Sequence, residues 1–221
     1  MNGPESFRLG HWSPNRSPLL VAEIGNNHEG DMGRARELVD AAAASGADAV
    51  KLQVFHTELY VRPIDEARFR ARRRFELRPD EYNELLRRAR GLGLLVMATP
   101  FDCASAEALE EQVDALKIAS GDITFLPLLR LAAGFPLPLV LSTGASTRDE
   151  IDSALAEVRN IRGAGHERLA LLHCVAGYPT PEEHAHLAAI PYLRRCYPEL
   201  VIGYSDHTEG IAAAVLAVAA G

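Results

Sequence analysis

Two lysines stand apart in a chain that otherwise uses arginine: of 23 basic residues, only Lys51 and Lys117 are lysine. Each lies inside a short apolar run, "AVKLQV" and "ALKIAS", whose alternation is that of a β-strand with successive side chains on opposite faces. Val50, Leu52 and Val54 then share one face and Lys51 with Gln53 the other. Leu116 and Ile118 oppose Lys117 in the same way, and in "VAEIG" Glu23 faces away from Ala22 and Ile24. An ammonium group taken out of water needs a carboxylate or an anionic ligand to offset its lost hydration. Three readings are open. The lysines form structural pairs, Lys51 with Glu23 and Lys117 with Asp122. One of them is a desolvated Schiff-base lysine, which leaves the other unexplained. Or both clamp one small anion that carries phosphate and carboxylate, and this reading accounts for both.

Further polar residues recur where strand-like runs end: Thr99, Ser120, Ser142, Thr143, His173, Ser205 and His207. In "GYSDHTEG" Ser205 and His207 share a face. His207 has the chemistry of a divalent-metal ligand or a general base, and equally that of a hydrogen-bonded structural residue. His28, after the first run, is placed to approach the same region, and His173 reads as a satisfied core histidine. His11, His56, His166, His184 and His186 fall in loops or on polar faces and read as surface. Cys174 reads as buried packing, because no charged neighbour in sequence marks a reactive thiolate.

These residues need strands to carry them. Strands are expected over 19–25, 49–54, 94–99, 115–119, 138–143, 169–174 and 201–205. Helices are expected over 32–45, 79–92, 105–112, 147–162, 182–196 and 209–219. Asp31 and Thr147 suit helix N-caps, and Gly46, Gly93 and Gly163 suit helix ends. Strands alternating with amphipathic helices imply parallel βαβ units. A doubly wound sheet would place a glycine-rich phosphate loop after its first strand, and "AEIGNNHEGD" matches neither usual form. Polar residues at the C-terminal end of strand after strand fit a TIM-type (β/α)₈ barrel instead. Three charged groups, Glu23, Lys51 and Lys117, are then expected to converge on its mouth. Only seven βα units are counted, so the expectation is a barrel over 19–221 that lacks strand eight, with residues 1–18 as an N-terminal extension capping it.

A chain of 221 residues, 48% of them hydrophobic, supports a substantial core. A net charge of −7 argues against nucleic acid or an anionic membrane as partner. The basic run "RFRARRR" (68–74) reads as a solvated face or a loop bordering a site. Three cysteines are odd in number for a disulfide framework and fit a reducing compartment. The N-terminus lacks a signal-peptide layout, and the longest apolar run, 211–221, is short of the roughly 20 residues that a bilayer requires. A cytoplasmic, non-membrane protein is expected.

Six blocks, "VAEIGNNHEGDMGRARELVDAAAASGADAVKLQVF", "ATPFD", "LKIASGDITFLPLL", "LVLSTGAST", "LLHCVAGYPTP" and "GYSDHTEG", occur in this order and together resemble the sialic acid synthase family. Members of that family condense phosphoenolpyruvate with an N-acylated hexosamine to make nonulosonic acids. The resemblance implies a (β/α)₈ barrel and a divalent metal, Mn²⁺ or Mg²⁺, that polarises the sugar aldehyde. By the same resemblance, Lys51, Thr99, Lys117, Ser120 and Ser205 hold the phosphate and carboxylate of phosphoenolpyruvate. His207 is a metal ligand, and Glu23, Gln53 and Tyr178 face the sugar. Glu23 is the candidate acid/base, with Asp122 and His207 the other catalytic candidates. This sequence departs from the family in five respects. Asp122 stands where glutamate is usual, Ala176 replaces a polar phosphate-holding residue, and 57–77 is short and Arg-rich. The second metal-binding histidine and the C-terminal antifreeze-like domain, which in the family dimerises, are not in this sequence. A homodimer stays open as an assembly.

Overall fold

The expected alternation of strands and helices forms, with small shifts at the ends. The computed structural model describes residues 7–14, 17–163 and 168–221, so His166 lies outside the described residues. The chain packs as two compact units, one of residues 19–116 and one of 117–221 together with the N-terminal segment.

In the 19–116 unit the elements run β1 (Val21–Gly25), α1 (Met32–Ala44), β2 (Ala49–Val54), α2 (Thr57–Tyr60), α3 (Glu66–Phe75), α4 (Pro79–Gly91), β3 (Leu95–Pro100) and α5 (Cys103–Leu109). β4 (Ala115–Ile118) begins here, and each strand pairs in parallel with the next in chain order. The register sets Glu23 opposite Lys51 and Gln53 opposite Thr99. Between Glu23 and Gly25 the register slips by one residue, a bulge that re-aims the side chains after it. Asp31 caps α1 by accepting from the Arg34 amide at 3.0 Å, as its type and position suggest. Val39, Val50, Leu52, Leu85, Leu86 and Val96 fill the interior. The basic run lies on α3, which has no buried residue.

In the other unit the order is α6 (Leu126–Gly134), β5 (Leu139–Ser142), α7 (Arg148–Arg162), β6 (Leu169–Cys174), α8 (Ala189–Cys196), β7 (Val201–Ser205) and α9 (Ala212–Ala220). β5, β6 and β7 pair in parallel, again in chain order. Thr147 and Glu150 close a capping box at the start of α7. Two expected helices are corrected. The one expected over 105–112 covers Cys103–Leu109, because Asp102 caps it by accepting from the Ser105 amide at 2.7 Å. The one expected over 182–196 breaks into a single 3₁₀ turn, Glu182–His184, and α8. His186 between them has φ +47°, outside the helical region. Pro191 fits only the first turn of a helix, where no amide donor is needed.

Candidate active site

In the 19–116 unit, strand ends bring Glu23, Lys51, Gln53 and Thr99 together. Lys51 is buried and forms an ion pair with Glu23, whose side chain remains 45% exposed. Its Nζ also lies 3.5 Å from Thr99 Oγ1. The structural pairing expected for Lys51 is therefore present, with the carboxylate at the open end of the strand. Gln53 Oε1 accepts from Asn26 Nδ2 at 2.7 Å. His28 does not join this group: it is fully buried, and its Nδ1 accepts from the Gly30 amide at 3.0 Å. Burial lowers its pKa. His56 is more than the surface residue expected. Its amide donates to Asp102 Oδ2 at 2.8 Å and its Nδ1 lies 3.2 Å from Asp102 Oδ1. Buried Asp102 thereby ties the loop after β2 to the loop after β3.

The 117–221 unit gathers Lys117, Ser120, Asp122, Tyr178, Ser205 and His207. Lys117 is buried, and among the described residues no carboxylate lies within ion-pairing distance of it. Burial pushes its pKa down to about 8, with Cys174 and Asp122 pulling in the opposite direction. Asp122 is pushed up to about 6 by burial, and Lys117 offsets only part of this. The expected Lys117–Asp122 pair is thus an electrostatic coupling without a direct contact. Ser120 Oγ accepts from the Gly144 amide at 3.0 Å, and the hydroxyl also bonds to the Cys174 thiol. A Cβ on Gly144 would stand 2.9 Å from that oxygen and 3.2 Å from the Cys174 carbonyl, so only glycine allows this approach. Ser142, at the end of β5, is fully buried and its hydroxyl has no partner among the described residues.

Cys174 corrects the sequence reading. It is buried, but its Sγ lies 3.7 Å from Nδ1 and 3.8 Å from Nε2 of His207. Burial raises its pKa, while His207, Ser120 and Lys117 together outweigh burial and hold it below the ordinary thiol range. For His207 burial lowers the pKa, and Cys174 with the Val175 carbonyl raises it further than burial lowers it. The partners are 33 residues apart, so only the β6–β7 register, Cys174 opposite Ser205, brings them together. Tyr178 is exposed and its ring lies 3.9 Å from that of His207. His173 is the satisfied core histidine expected: its Nε2 is 2.8 Å from the Ala185 carbonyl and it stacks on Tyr204. A cavity of about 780 Å³, lined by Thr143, His173, Cys174, Ala176 and Tyr192 among others, opens beside these residues.

His207 has the chemistry of one imidazole metal ligand. Its Nδ1 lies 2.7 Å from the Val175 carbonyl, which leaves Nε2 as the coordinating nitrogen. No group of three or more metal-ligating side chains occurs among the described residues. The described residues therefore do not by themselves make a complete metal site.

Parallel βα units thus carry buried lysines beside hydroxyl and amide donors at their strand ends, a chemistry suited to small anions. The chain belongs to the NeuB family, whose model matches residues 38–221. It is 36% identical over 220 residues to an N,N'-diacetyllegionaminic acid synthase of Campylobacter jejuni, spanning 93% of this chain and 65% of that protein. It is 41% identical to an uncharacterised protein, MJ1065, of Methanocaldococcus jannaschii, over 92% of this chain and 59% of that one. The chain thus spans about 59–65% of the length of these relatives. The crystal structure of an N-acetylneuraminic acid synthetase of Leptospira borgpetersenii, in complex with citrate, superposes with a TM-score of 0.91 at 36% identity. That match covers 97% of this chain and 74% of the other. Among the described residues no helix is long and apolar enough to cross a membrane.

Proposed function

We propose that this chain carries the catalytic residues of a synthase that condenses phosphoenolpyruvate with an N-acylated hexosamine, giving a nonulosonic acid and phosphate. The observation that carries the reading is Lys117: a buried ammonium with no carboxylate in ion-pairing range among the described residues. A fold retains such a cation where a ligand supplies the counter-charge.

In this reading Lys51, Thr99, Lys117, Ser120 and Ser205 hold the phosphate and carboxylate. Fixed cations and hydroxyls orient the enol and stabilise the departing phosphate without reorganising during the reaction. C3 of phosphoenolpyruvate attacks the aldehyde carbon of the open-chain sugar, and the Lys51–Glu23 pair supplies the proton, from the ammonium, that turns the aldehyde oxygen into a hydroxyl. Water adds at C2, and its proton passes to Asp122, whose carboxyl is pushed up to about 6 by burial. The bond from C2 to the phosphate oxygen then breaks as the C2 hydroxyl becomes the keto group, and its proton leaves with the phosphate. Gln53 and Tyr178 face the sugar. A divalent metal, Mn²⁺ or Mg²⁺, would supply Lewis acidity at the aldehyde, with His207 as one ligand. The cytoplasm is the compartment that supplies such substrates.

The test is phosphate release from phosphoenolpyruvate across a panel of N-acylhexosamines with Mn²⁺. Release that requires both the sugar and phosphoenolpyruvate supports the synthase, and silence across the panel contradicts it. One observation favours a second reading, a Schiff-base lyase: the pKa of Lys117 falls to about 8, as a nucleophilic amine requires. Borohydride trapping of pyruvate on Lys117 would select that chemistry.

A further inference from the structure

The cavity of about 780 Å³ takes no part in the chemistry above: none of the residues given a role in the condensation lines it. Its volume is that of a small-molecule site. The walls come from the turn before α7, from α7 and α8, and from the segment that follows β6. Ile151, Val175, Ala189 and Leu193 make much of the lining apolar. Arg148, His184, His186 and Tyr192 are exposed polar groups of the same lining.

Arg148 is held in place and not loose in solvent. Its Nε lies 3.6 Å from Asp152 Oδ2, and its guanidinium donates to the Tyr192 hydroxyl. Asp152 is fixed in turn by buried Tyr197, whose hydroxyl donates to Oδ1 at 2.7 Å. A guanidinium already set in one orientation loses little freedom on taking a further acceptor. The rings of His184 and His186 stand 6.1 Å apart and make no hydrogen bond among the described residues. The backbone on both sides is unusual as well. Ala145 and His186 line the cavity with φ of +57° and +47°, a conformation that side chains seldom adopt and that recurs at ligand sites.

The charge balance narrows the ligand. Arg148 is the one permanent cation among the described lining residues. It shares its charge with Asp152, and Asp149 and Glu150 follow it on α7. This setting suits a single negative charge and opposes a dianion. We propose that the cavity is a second ligand site, separate from the Lys117 site, for a monocarboxylate with an apolar body. Arg148 donates to the carboxylate and the apolar walls cover the body. Cys174 lines the cavity and bonds to Ser120, so its side chain is a wall shared with the Lys117 site.

Three probes test this by ligand-observed NMR on the 221-residue protein: 3-phenylpropionate, the neutral 3-phenylpropanol and the dianionic phenyl phosphate. 3-Phenylpropionate is expected to bind at least about fivefold tighter than either of the others. Arg148→Gln should erase that preference. Ala189→Trp, which fills the cavity, should weaken binding of 3-phenylpropionate about tenfold or more. Both variants should keep the affinity for phosphoenolpyruvate, and saturating phosphoenolpyruvate should leave 3-phenylpropionate bound. No binding below about 10 mM, tighter binding of phenyl phosphate, or an affinity indifferent to both variants would overturn the assignment. Displacement by phosphoenolpyruvate would put the probe at Lys117 and overturn it too. The probe affinities need no turnover, so failure of the synthase reading, scored by phosphate release, would leave them unchanged.

Discussion

Lys117 carries most of the chemistry proposed here, and its burial has measurable consequences. Its pKa, ordinarily 10.5, is pushed down to about 8, a bias against the charged form on the order of 3 kcal/mol. Because the folded pKa is depressed, the folded state releases its proton between about 8 and 10.5, and stability rises with pH across that window. Lys117→Met is therefore expected to raise unfolding free energy by about 1–3 kcal/mol at pH 7. The gain should shrink above pH 8 and vanish near 10.5 in urea titrations. The same variant should lose at least about 100-fold in affinity for phosphoenolpyruvate. Unchanged affinity would return Lys117 to a structural role. An anion favours the protonated lysine, so binding to the unmodified protein should weaken above about pH 8, by up to about tenfold per pH unit. Calorimetry across pH 7–10 reads this directly, and a flat profile would remove Lys117 from the site. The inward lysines were legible in the sequence because a strand's period of two needs only neighbouring residues. The Cys174–His207 contact was not, because it depends on β6–β7 register. The Asn26–Gln53 contact was hidden for a related reason: the bulge between Glu23 and Gly25 breaks the alternation that located Glu23.

Turns at strand ends decide whether these side chains are held in place. Gly144 approaches Ser120 so closely that a Cβ there would meet its oxygen at 2.9 Å. Gly144→Ala should displace the Ser120 hydroxyl and weaken phosphoenolpyruvate binding about tenfold, with an unfolding midpoint little changed. Loss of fold in place of loss of affinity would make Gly144 a packing residue alone. Asp102 is the corresponding anchor in the other unit, accepting from the amides of His56 and Ser105 and from the Ser105 hydroxyl at 2.7–2.8 Å. Its replacement by alanine strands these donors and is expected to cost about 2–4 kcal/mol by urea unfolding. A cost below about 0.5 kcal/mol would mean that the two loops are held by other contacts. All seven strands fall within two residues of their expected bounds, since apolar runs between turn residues mark them locally. The helix expected over 182–196 was misread because its polar and apolar residues alternate at helical spacing on both sides of a break. The break is set by the backbone at His186, which composition does not encode.

The whole molecule presents one surface of note. Ile211, Val215, Leu216 and Val218, at and on α9, are 58–78% exposed, an apolar strip of the kind that associates in water. The 221-residue polypeptide should therefore self-associate, and Val215→Lys with Leu216→Glu should shift its sedimentation toward monomer. Identical sedimentation would show that the strip stays solvated. Family membership and strand order were both legible from six sequence blocks, because the family's motifs are the strand ends themselves. The acceptor was not, because the Arg-rich α3 has no buried residue whose partners could define a subsite. What the chain does to phosphoenolpyruvate can be settled with one labelled substrate. Phosphoenolpyruvate carrying ¹⁸O in the bridging position is incubated with an N-acylhexosamine and Mn²⁺, and phosphate and acid are weighed by mass spectrometry. Cleavage of the C–O bond predicts labelled phosphate and an unlabelled nonulosonic acid formed in equal amounts. Unlabelled phosphate, or labelled phosphate with no new acid, would contradict a condensing synthase.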